Sequence, residues 1–544
     1  MLSYRKLAMR VLGRPLHTGG GGIDSPRPAS QRAAALVLTA ALLTGAAFPA
    51  FADTYYIENG DITISAGESG NDVTQNNVTT KNDTDTIITN SDKATASSHT
   101  VTIDAGNDKV EVTLKDVNID TSSRNKAAVS VTGSGNTTIK LDGDNALKSD
   151  TSRSGIYGSG SLTISGGEND SLTAQGGSGA NGISSSGSLT ISGGTVTANG
   201  DDGGRGISSS GRVTISGGST VTAKGGSGTI SGGDGICSSG GVTISGGSTV
   251  TANGGNGGRL VGGDGIRSSG GVTISGGSTV TANGGNGGSI GGGSGIYSNG
   301  SLTISGGTVN ANGGSGKNGN GGNGIIGSGR VAISGGTVNA AGGDGTNSNG
   351  GEGIYGRKGI DLSGSLELTA KAGSPNGKAL SQDGKELDLD TINKDKLDPG
   401  AKVTTTDADG KVIKQVSIPR PVEPEKPVIP EESSSSSDGG SSAPSASVSS
   451  LPGLTVTDKS GAVISYTSTQ SGNTLTVCVG RLTASLHVSL AALRQLRAEG
   501  IETITFQTIL CSTTLSVDEL LAMGGEDAEA VLTHRLTDSS LTVG

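Results

Sequence analysis

One phrase, VTISGG followed by TVTANGG, recurs in near-copies seven times between Leu162 and Ser334. The isoleucines of its TIS triplet follow one another at intervals of 24 to 30 residues, at Ile164, Ile191, Ile215, Ile244, Ile274, Ile304 and Ile333. A Gly-Ile pair recurs once in each repeat, with similar spacing. Such a period indicates one supersecondary unit repeated and stacked on itself. Stacked repeats share a continuous core, so function has to be sought on the surface of a solenoid.

Each repeat contains three short segments, which read GISS, SLTIS and TVTAN in the unit from Gly182 to Gly206. Apolar and polar residues alternate in the second and third segments, and this period of two predicts strands with one apolar face. The pair Gly193-Gly194 supplies a tight corner with positive φ angles. We therefore predict an all-β fold, a right-handed parallel β-helix with three short strands per coil of 24–30 residues. Its inward columns consist of stacked Ile, Val or Leu, and Ala.

The chain before the repeats predicts an export signal and a cap. Six basic residues precede the apolar run Ala33–Leu43, and Ala50-Phe51-Ala52 has the pattern of a cleavage site. This run is shorter than the roughly 20 residues that a membrane helix needs. We assign 1–52 to a signal peptide and 53–100 to the N-terminal cap and first coil, in which YYIENGDITIS is the only clear strand.

The remaining boundaries follow changes of composition. The parallel β-helix is predicted for 101–375, a C-terminal cap region for 376–418, a Pro/Ser-rich linker for 419–450 and a small α+β module for 451–544. In the module, Ser489 is the predicted N-cap of a helix that Gly500 ends, and a second helix is predicted from Val517 to Met523.

Charge indicates the class of partner. The signal carries six basic residues and one acidic residue, which leaves 33 basic and 48 acidic residues, a net charge of −15. An acidic surface disfavours nucleic acid and anionic lipid. No apolar run after the signal is long enough for a membrane helix, so we expect a secreted or cell-surface protein without membrane insertion of the mature chain.

The succession VTLKDVNI, AAVSVTG, TTIKLDGDNALKS and GIYGSGSLTISGG resembles the exported β-helical carbohydrate-binding domain proteins of Gram-positive bacteria, of the Gly-rich TISGGTVTA repeat type. Asp116 to Ile119 match the short D-x-N-I phrase of that family. The resemblance covers roughly residues 100 to 375, and its motifs are structural. It implies a polysaccharide ligand, with acidic plant polysaccharides and bound calcium associated with the family, but no single-residue binding motif is carried over.

The residue that follows the isoleucine of each Gly-Ile pair points outward and varies. In chain order these residues are Tyr157, Ser184, Ser208, Cys237, Arg267, Tyr297, Ile326 and Tyr355. Tyrosines offer apolar faces to sugar rings, and Tyr297 lies two coils from Tyr355, about 9.6 Å by the strand spacing and near the length of a disaccharide. Arg267 could pair with a uronate. These three residues, with Tyr157, form the predicted carbohydrate site.

All insertions fall at the corner after TVTANGG, which places a glycine-rich fringe along one edge of the solenoid. We interpret this fringe as a permissive spacer without a ligand. Its carboxylates are interpreted as solvated. The alternative is a loose calcium site formed by Asp201, Asp202, Asp234 and Asp264 with backbone carbonyls, since calcium takes oxygen ligands from flexible loops. No cofactor is required by the sequence.

Little in the chain indicates catalysis. No carboxylate pair recurs on adjacent coils of one strand face, and no histidine lies within the regular repeats. Among the cysteines, Cys237 is expected to point outward as a free thiol. Cys478 and Cys511 are either bridged or two buried free thiols.

These observations predict an exported, non-enzymatic protein that recognises a polysaccharide or a host or cell-surface glycan through the surface of its solenoid. A cell-surface adhesin or structural stalk without a glycan site is the alternative. A polysaccharide lyase or glycosidase is the third hypothesis, and it requires clustered carboxylates.

Overall fold

The computed structural model describes residues 53–420 and 453–543, apart from 459–460, 465, 472, 480, 482, 509–511, 524–528 and 535–538. The predicted signal 1–52 and linker residues 421–450 lie outside this part of the chain. Two compact units divide between Pro424 and Glu425, a parallel β-solenoid of about 14 turns and a small α+β module. Within the described residues, no helix is long and apolar enough to cross a membrane.

The solenoid begins with eleven strands and one 3-10 turn, Ile57–Asn59. The strands are β1 Thr54–Tyr56, β2 Ile62–Ala66, β3 Asn71–Gln75, β4 Val78–Asp83, β5 Ile87–Thr89, β6 Val101–Asp104, β7 Lys109–Lys115, β8 Asn118–Asp120, β9 Val129–Thr132, β10 Asn136–Asp142 and β11 Asp144–Lys148. The prediction of a single clear strand before residue 100 is wrong, since β1 to β5 all lie there. This segment is polar because β3 and β4 form antiparallel pairs that cap the stack.

The regular coils follow, and most of them supply three strands each. These are β12 Ile156–Gly158, β13 Ser161–Ser165, β14 Ser171–Ser178, β15 Ile183–Ser185, β16 Leu189–Ser192, β17 Thr195–Asp201, β18 Ile207–Ser209, β19 Arg212–Ser216, β20 Thr220–Lys224, β21 Ile236–Ser238, β22 Gly241–Ile244, β23 Thr249–Asn253, β24 Ile266–Ser268, β25 Gly271–Ile274, β26 Thr279–Asn283, β27 Ile296–Ser298, β28 Leu302–Asn312, β29 Ile325–Gly327, β30 Val331–Ala341, β31 Ile354–Gly356 and β32 Ile360–Lys371. In β28, β30 and β32 the second and third strands are continuous.

The far end of the solenoid is closed by short strands and a 3-10 turn, Lys394–Lys396. The strands are β33 Leu380–Gln382, β34 Lys385–Glu386, β35 Lys402–Thr406 and β36 Val412–Ser417. Both β34 and β36 pair antiparallel with their neighbours. Antiparallel pairing ends the parallel stack, as expected for a cap.

Two sheets run along the solenoid. A narrow sheet of 15 strands contains the Gly-Ile strands, and a wide sheet of 21 strands contains the TIS and TVTA strands. Neighbouring coils pair in parallel with like residues opposite one another, as in Ile244 against Ile274 and Ala252 against Ala282. These inward columns are fully buried. The predicted fold and its Ile, Val/Leu and Ala columns are therefore confirmed.

Serines form a further buried column that the sequence prediction missed. Ser238, Ser268 and Ser298 follow the inward isoleucines at period two and are fully buried. The Oγ of Ser238 lies 2.8 Å from the carbonyl oxygen of Gly211 and accepts a hydrogen bond from the N–H of Gly241 at 3.0 Å. Where it is present, this column adds side-chain hydrogen bonds to backbone groups at the corner after the Gly-Ile strand.

The C-terminal module combines eight strands with two helices. The elements are β37 Leu454–Thr457, β38 Thr467–Ser471, β39 Thr474–Cys478, β40 Ala484–Ser489, α1 Leu490–Ala498, β41 Thr503–Gln507, β42 Ser512–Ser516, α2 Val517–Met523, β43 Glu529–His534 and β44 Ser539–Val543. Ser489 accepts a hydrogen bond from the N–H of Ala492, and Gly500 has a φ of +90°. Both predicted helices are confirmed. The strands form two four-stranded sheets, β37-β40-β43-β44 and β38-β39-β41-β42.

Candidate functional site

The variable outward residues of the Gly-Ile strands lie in one unbroken register along the narrow sheet. We call this row the outer column; from the N-terminal end it comprises Thr102, Ser130, Tyr157, Ser184, Ser208, Cys237, Arg267, Tyr297, Ile326 and Tyr355. The register continues to Ser381, which is buried. All four residues of the predicted carbohydrate site belong to it. Successive members are about 4.8 Å apart. The column is therefore a row in which polar, charged, aromatic and aliphatic side chains follow one another.

Arg267 and Tyr297 form the one cation–π pair among the described residues. The Arg267 guanidinium carbon lies 4.8 Å from the centroid of the Tyr297 ring. A cation over an aromatic face is attracted by the ring quadrupole. Tyr355 lies two strands further along, with Ile326 between. Tyr157 is four strands away from Arg267 on the other side, about 19 Å by the strand spacing, and forms a separate part of the column.

A ladder of acidic side chains holds Arg267 in place. Asp264 Oδ2 accepts a hydrogen bond from Arg267 Nη1 at 2.9 Å, and Asp264 Oδ1 accepts one from the N–H of Ser294 at 2.6 Å. One coil earlier, Asp234 Oδ1 accepts from the N–H of Asp264 at 2.9 Å, and its Oδ2 accepts from Arg205 Nε at 3.1 Å. Each carboxylate thus connects its own coil with the next one.

The interpretation of these two carboxylates as solvated is wrong. Asp234 and Asp264 are only 8% and 6% exposed. They precede the inward Ile236 and Ile266 by two residues and lie in the corner that leads into each Gly-Ile strand, outside the strand itself. Burial, followed by the charge of Asp234, raises the pKa of Asp264 to about 6. The two aspartates lie on adjacent coils just outside the strands, so they do not contradict the observation that no carboxylate pair recurs on one strand face.

The proposed calcium ligands are not brought together. Among the described residues, no group of three or more His, Cys, Asp or Glu side chains is placed to hold a metal ion. Asp234 and Asp264 are already bonded to arginines and backbone N–H groups. Asp201 accepts a hydrogen bond from the N–H of Asp202, and Asp202 lies 3.4 Å from the Ser178 hydroxyl. Calcium binding by these loops stays a prediction.

A groove of about 700 Å³ opens beside Tyr157 on the same face. Its floor is the outer column from Thr102 to Ser184, and its wall includes Lys126, Arg153 and Asn181. Tyr157 is 44% exposed. Lys126 pairs with Asp61 at 3.0 Å, whereas Arg153 has no ion-pair partner within the part of the chain described. Sequence reasoning missed Lys126 and Arg153, because both lie in irregular corners outside the repeated phrase.

The glycine-rich fringe is an ordered, two-layered structure. We call it the glycine wing; it consists of two glycine segments per coil, 225–228 with 232–235, 254–258 with 262–265, 284–288 with 291–295, 313–316 with 321–324, and 342–345 with 350–353. A continuous series of backbone hydrogen bonds connects its two layers. Gly255 donates to Gly233 at 2.8 Å, Gly263 to Gly255 at 2.9 Å, and Gly285 to Gly263 at 2.8 Å.

The wing has no room for side chains at these glycines. A Cβ on Gly263 would lie 1.9 Å from the carbonyl oxygen of Gly233, and a Cβ on Gly285 would lie 2.0 Å from that of Gly255. The interpretation of the fringe as a permissive spacer is therefore wrong. Glycine is required here by the close approach of two backbones, and Asp234 and Asp264 are themselves part of this closely packed wing.

Cys237 and Cys478 are the two cysteines among the described residues. Cys237 is half-buried in the outer column, as predicted, and burial followed by the charge of Asp234 raises the pKa of its thiol to about 11. The Sγ of Cys478 lies 3.5 Å from Gln507 Oε1. Cys511 lies outside the described residues, so the choice between a bridge and two free thiols stays open.

Comparison of the chain with known protein families, with curated proteins and with solved structures gave no match. The outer column, the groove and the acidic ladder therefore carry the functional argument.

Proposed function

We propose that the protein is an exported, non-enzymatic carbohydrate-binding protein that recognises a carboxylated polysaccharide along the outer column of the narrow sheet. The observation that carries this proposal is the stacking of Arg267 on Tyr297 at 4.8 Å. An aromatic ring supplies an apolar face for a sugar ring, and the adjacent guanidinium supplies donors for a carboxylate. The Tyr297 ring and the Arg267 guanidinium lie on adjacent coils, so they can contact neighbouring parts of one glycan chain.

The groove supports a second contact point for the same polymer. Tyr157, Arg153 and Lys126 repeat the combination of an exposed ring with basic groups. A linear polysaccharide that follows the column would meet both places, about 19 Å apart by the strand spacing. Two weak contacts on one polymer raise the overall affinity without any new interaction, provided that the ligand spans both.

The acidic groups near the column are engaged in structure rather than free for catalysis, which supports a binding role. Both oxygens of Asp234 and of Asp264 accept hydrogen bonds from backbone or arginine. A general acid or base needs to reach the proton that it transfers. The alternative of a structural stalk is supported by the wide sheet, where the outward residues of the TIS and TVTA strands are mainly Thr, Ser and Asn.

The test measures binding of the mature protein to polygalacturonate and to a neutral glucan, with and without calcium. We expect binding to polygalacturonate to weaken about tenfold or more in Arg267→Ala and Tyr297→Ala, because each removes a direct contact. Tyr355→Ala and Arg153→Gln test the two flanking contacts. Thr251→Ala, on the wide sheet, is the matched control and should bind like the wild type. No binding to either polymer under any condition would favour the stalk.

A further inference from the structure

The residues around Arg267 do more than hold it. We propose that Asp264 is a positioning residue for Arg267, and that protonation of Asp264 makes the guanidinium available to a ligand carboxylate, so that mild acid strengthens glycan binding. This proposal rests on the proposed function. It concerns the regulation of the same site, and it follows from an ion pair that competes directly with the ligand.

The geometry defines the competition. Arg267 Nη1 donates to Asp264 Oδ2 at 2.9 Å while the guanidinium lies over the Tyr297 ring. The Arg267 side chain is 46% exposed, whereas that of Asp264 is 8% exposed. A ligand carboxylate that approaches the guanidinium is attracted by one positive charge and repelled by the carboxylate directly behind it. Removing that negative charge leaves the arginine with one partner fewer.

The other charged groups near Asp264 reinforce this arrangement. On the preceding coil, Asp234 faces Asp264 and is itself paired with Arg205 at 3.1 Å. The thiol of Cys237 lies next to Arg267 in the outer column and stays protonated, since its pKa is raised to about 11. On the following coil, the backbone N–H of Ser294 donates to Asp264 Oδ1 at 2.6 Å. With both aspartates ionised, their negative charges balance the positive charges of Arg205 and Arg267. Protonation of one aspartate leaves this group of four side chains with a net positive charge.

The protonation falls in an accessible pH range. Burial and the charge of Asp234 raise the pKa of Asp264 to about 6, against the opposing influence of the Ser294 N–H and Arg267. Carboxylates of ordinary pKa, near about 4, stay largely ionised at pH 5. Between pH 7.5 and pH 5, Asp264 therefore gains a proton while the ligand keeps its charge.

The first measurement needs no glycan. NMR titration of the mature protein labelled with ¹³C at Asp carboxyl carbons should show one resonance with a midpoint near 6, which is absent from Asp264→Asn. A resonance assigned to Asp264 that titrates near the ordinary value would overturn the proposal.

The second measurement compares affinity for polygalacturonate at pH 7.5 and pH 5.0. We expect acid to strengthen binding by about three- to tenfold in the wild type, the size of one unit charge acting at several ångström in a polar surrounding. Asp264→Asn keeps the acceptor for the Ser294 N–H, and at pH 7.5 it should already show the stronger binding with little further gain. Asp344→Asn is the matched control, because exposed Asp344 accepts the N–H of Ser374 in the same ladder geometry.

Acid also removes negative charge elsewhere on the protein, and Asp344→Asn measures that general effect. The proposal is therefore tested by the difference between the pH profiles of binding in Asp264→Asn and Asp344→Asn. Equal pH profiles for Asp264→Asn and Asp344→Asn would overturn it, even if the resonance titrates near 6. Absence of polygalacturonate binding at both pH values would instead overturn the proposed function, and with it the ligand step of this proposal.

Discussion

The close packing of the glycine wing predicts that Gly→Ala, a substitution that is usually harmless, is destabilising there. Gly263→Ala adds one methyl group to an extended segment, and elsewhere such a change often stabilises a protein by about 0.4–1 kcal/mol by restricting the unfolded chain. Here the new Cβ would lie 1.9 Å from the carbonyl oxygen of Gly233, whereas real Cβ atoms stay at least 3.0 Å from such atoms. One of the two backbones therefore has to move by about 1 Å.

The size of the effect follows from what that movement breaks. The carbonyl of Gly233 accepts the N–H of Gly255, and that of Gly263 accepts the N–H of Gly285, each at 2.8 Å. Leaving a buried N–H without its partner costs about 1–3 kcal/mol, and overpacking costs about 1–3 kcal/mol more. After the gain from the unfolded state, we expect Gly263→Ala to destabilise the wing by about 1–5 kcal/mol.

The assay has to be local, because long repeat arrays need not unfold in one step. Hydrogen exchange measured by mass spectrometry on residues 53–544 reports the opening of residues 225–265, and each 1.4 kcal/mol is about a tenfold loss of protection. Gly158→Ala is the matched control, since its Cβ would meet nothing closer than 3.7 Å. Gly158→Ala should be neutral or slightly stabilising. Equal protection in the two variants would refute the claim that the wing excludes side chains.

Two further predictions concern buried groups of the same coils. Ser238→Ala removes the acceptor of the Gly241 N–H inside the core and should lower the free energy of unfolding by about 1–3 kcal/mol in chemical denaturation; the exposed neighbour variant Ser239→Ala is its control, and equal stabilities would contradict the role of the serine column. The Cys237 thiol, with its pKa raised to about 11, should react with iodoacetamide at pH 7.5 about 100-fold more slowly than in the denatured chain, as measured by peptide mass spectrometry. Similar rates in the two states would contradict the burial of the thiol.

The solenoid core could be predicted because its rule is local. Alternation at period two identifies the inward residues, and a constant repeat places like residues opposite one another, as the pairing of Ile244 with Ile274 shows. The N-terminal cap could not be predicted in the same way. There β3 and β4 pair antiparallel outside the repeat, with exposed residues such as Val78, so neither period nor burial is visible in the sequence.

The wing could not be predicted because glycine has two opposite uses. A glycine-rich run is either a segment with no fixed structure or the only sequence that allows two backbones to touch. Composition alone does not separate these cases. The register between coils separates them, since Gly233, Gly263 and Gly293 recur at the same place before successive Gly-Ile strands and bond across the layers.

The outer column of the candidate site could be predicted from the sequence, but the charged residues around it could not. Counting one residue past each inward isoleucine gave the outer column, including Arg267 and Tyr297. The buried Asp234 and Asp264 lie just outside the strands, where alternation does not apply, and their position next to glycines suggested exposed loops. Lys126 and Arg153 follow no repeat, so only the folded chain places them beside Tyr157.

The buried ladder shows why charge at this position calls for a functional explanation. At the same position on other coils, neutral asparagines perform the structural task. Asn181 accepts the N–H of Arg205 at 2.8 Å, and Asn323 accepts the N–H of Glu352 at 2.7 Å. An amide therefore suffices to connect coils, and a buried carboxylate forms a stronger, charge-assisted bond only at a desolvation cost. What Asp264 adds is a charge for Arg267, so the excess charge is explained only if the orientation or the availability of that guanidinium matters.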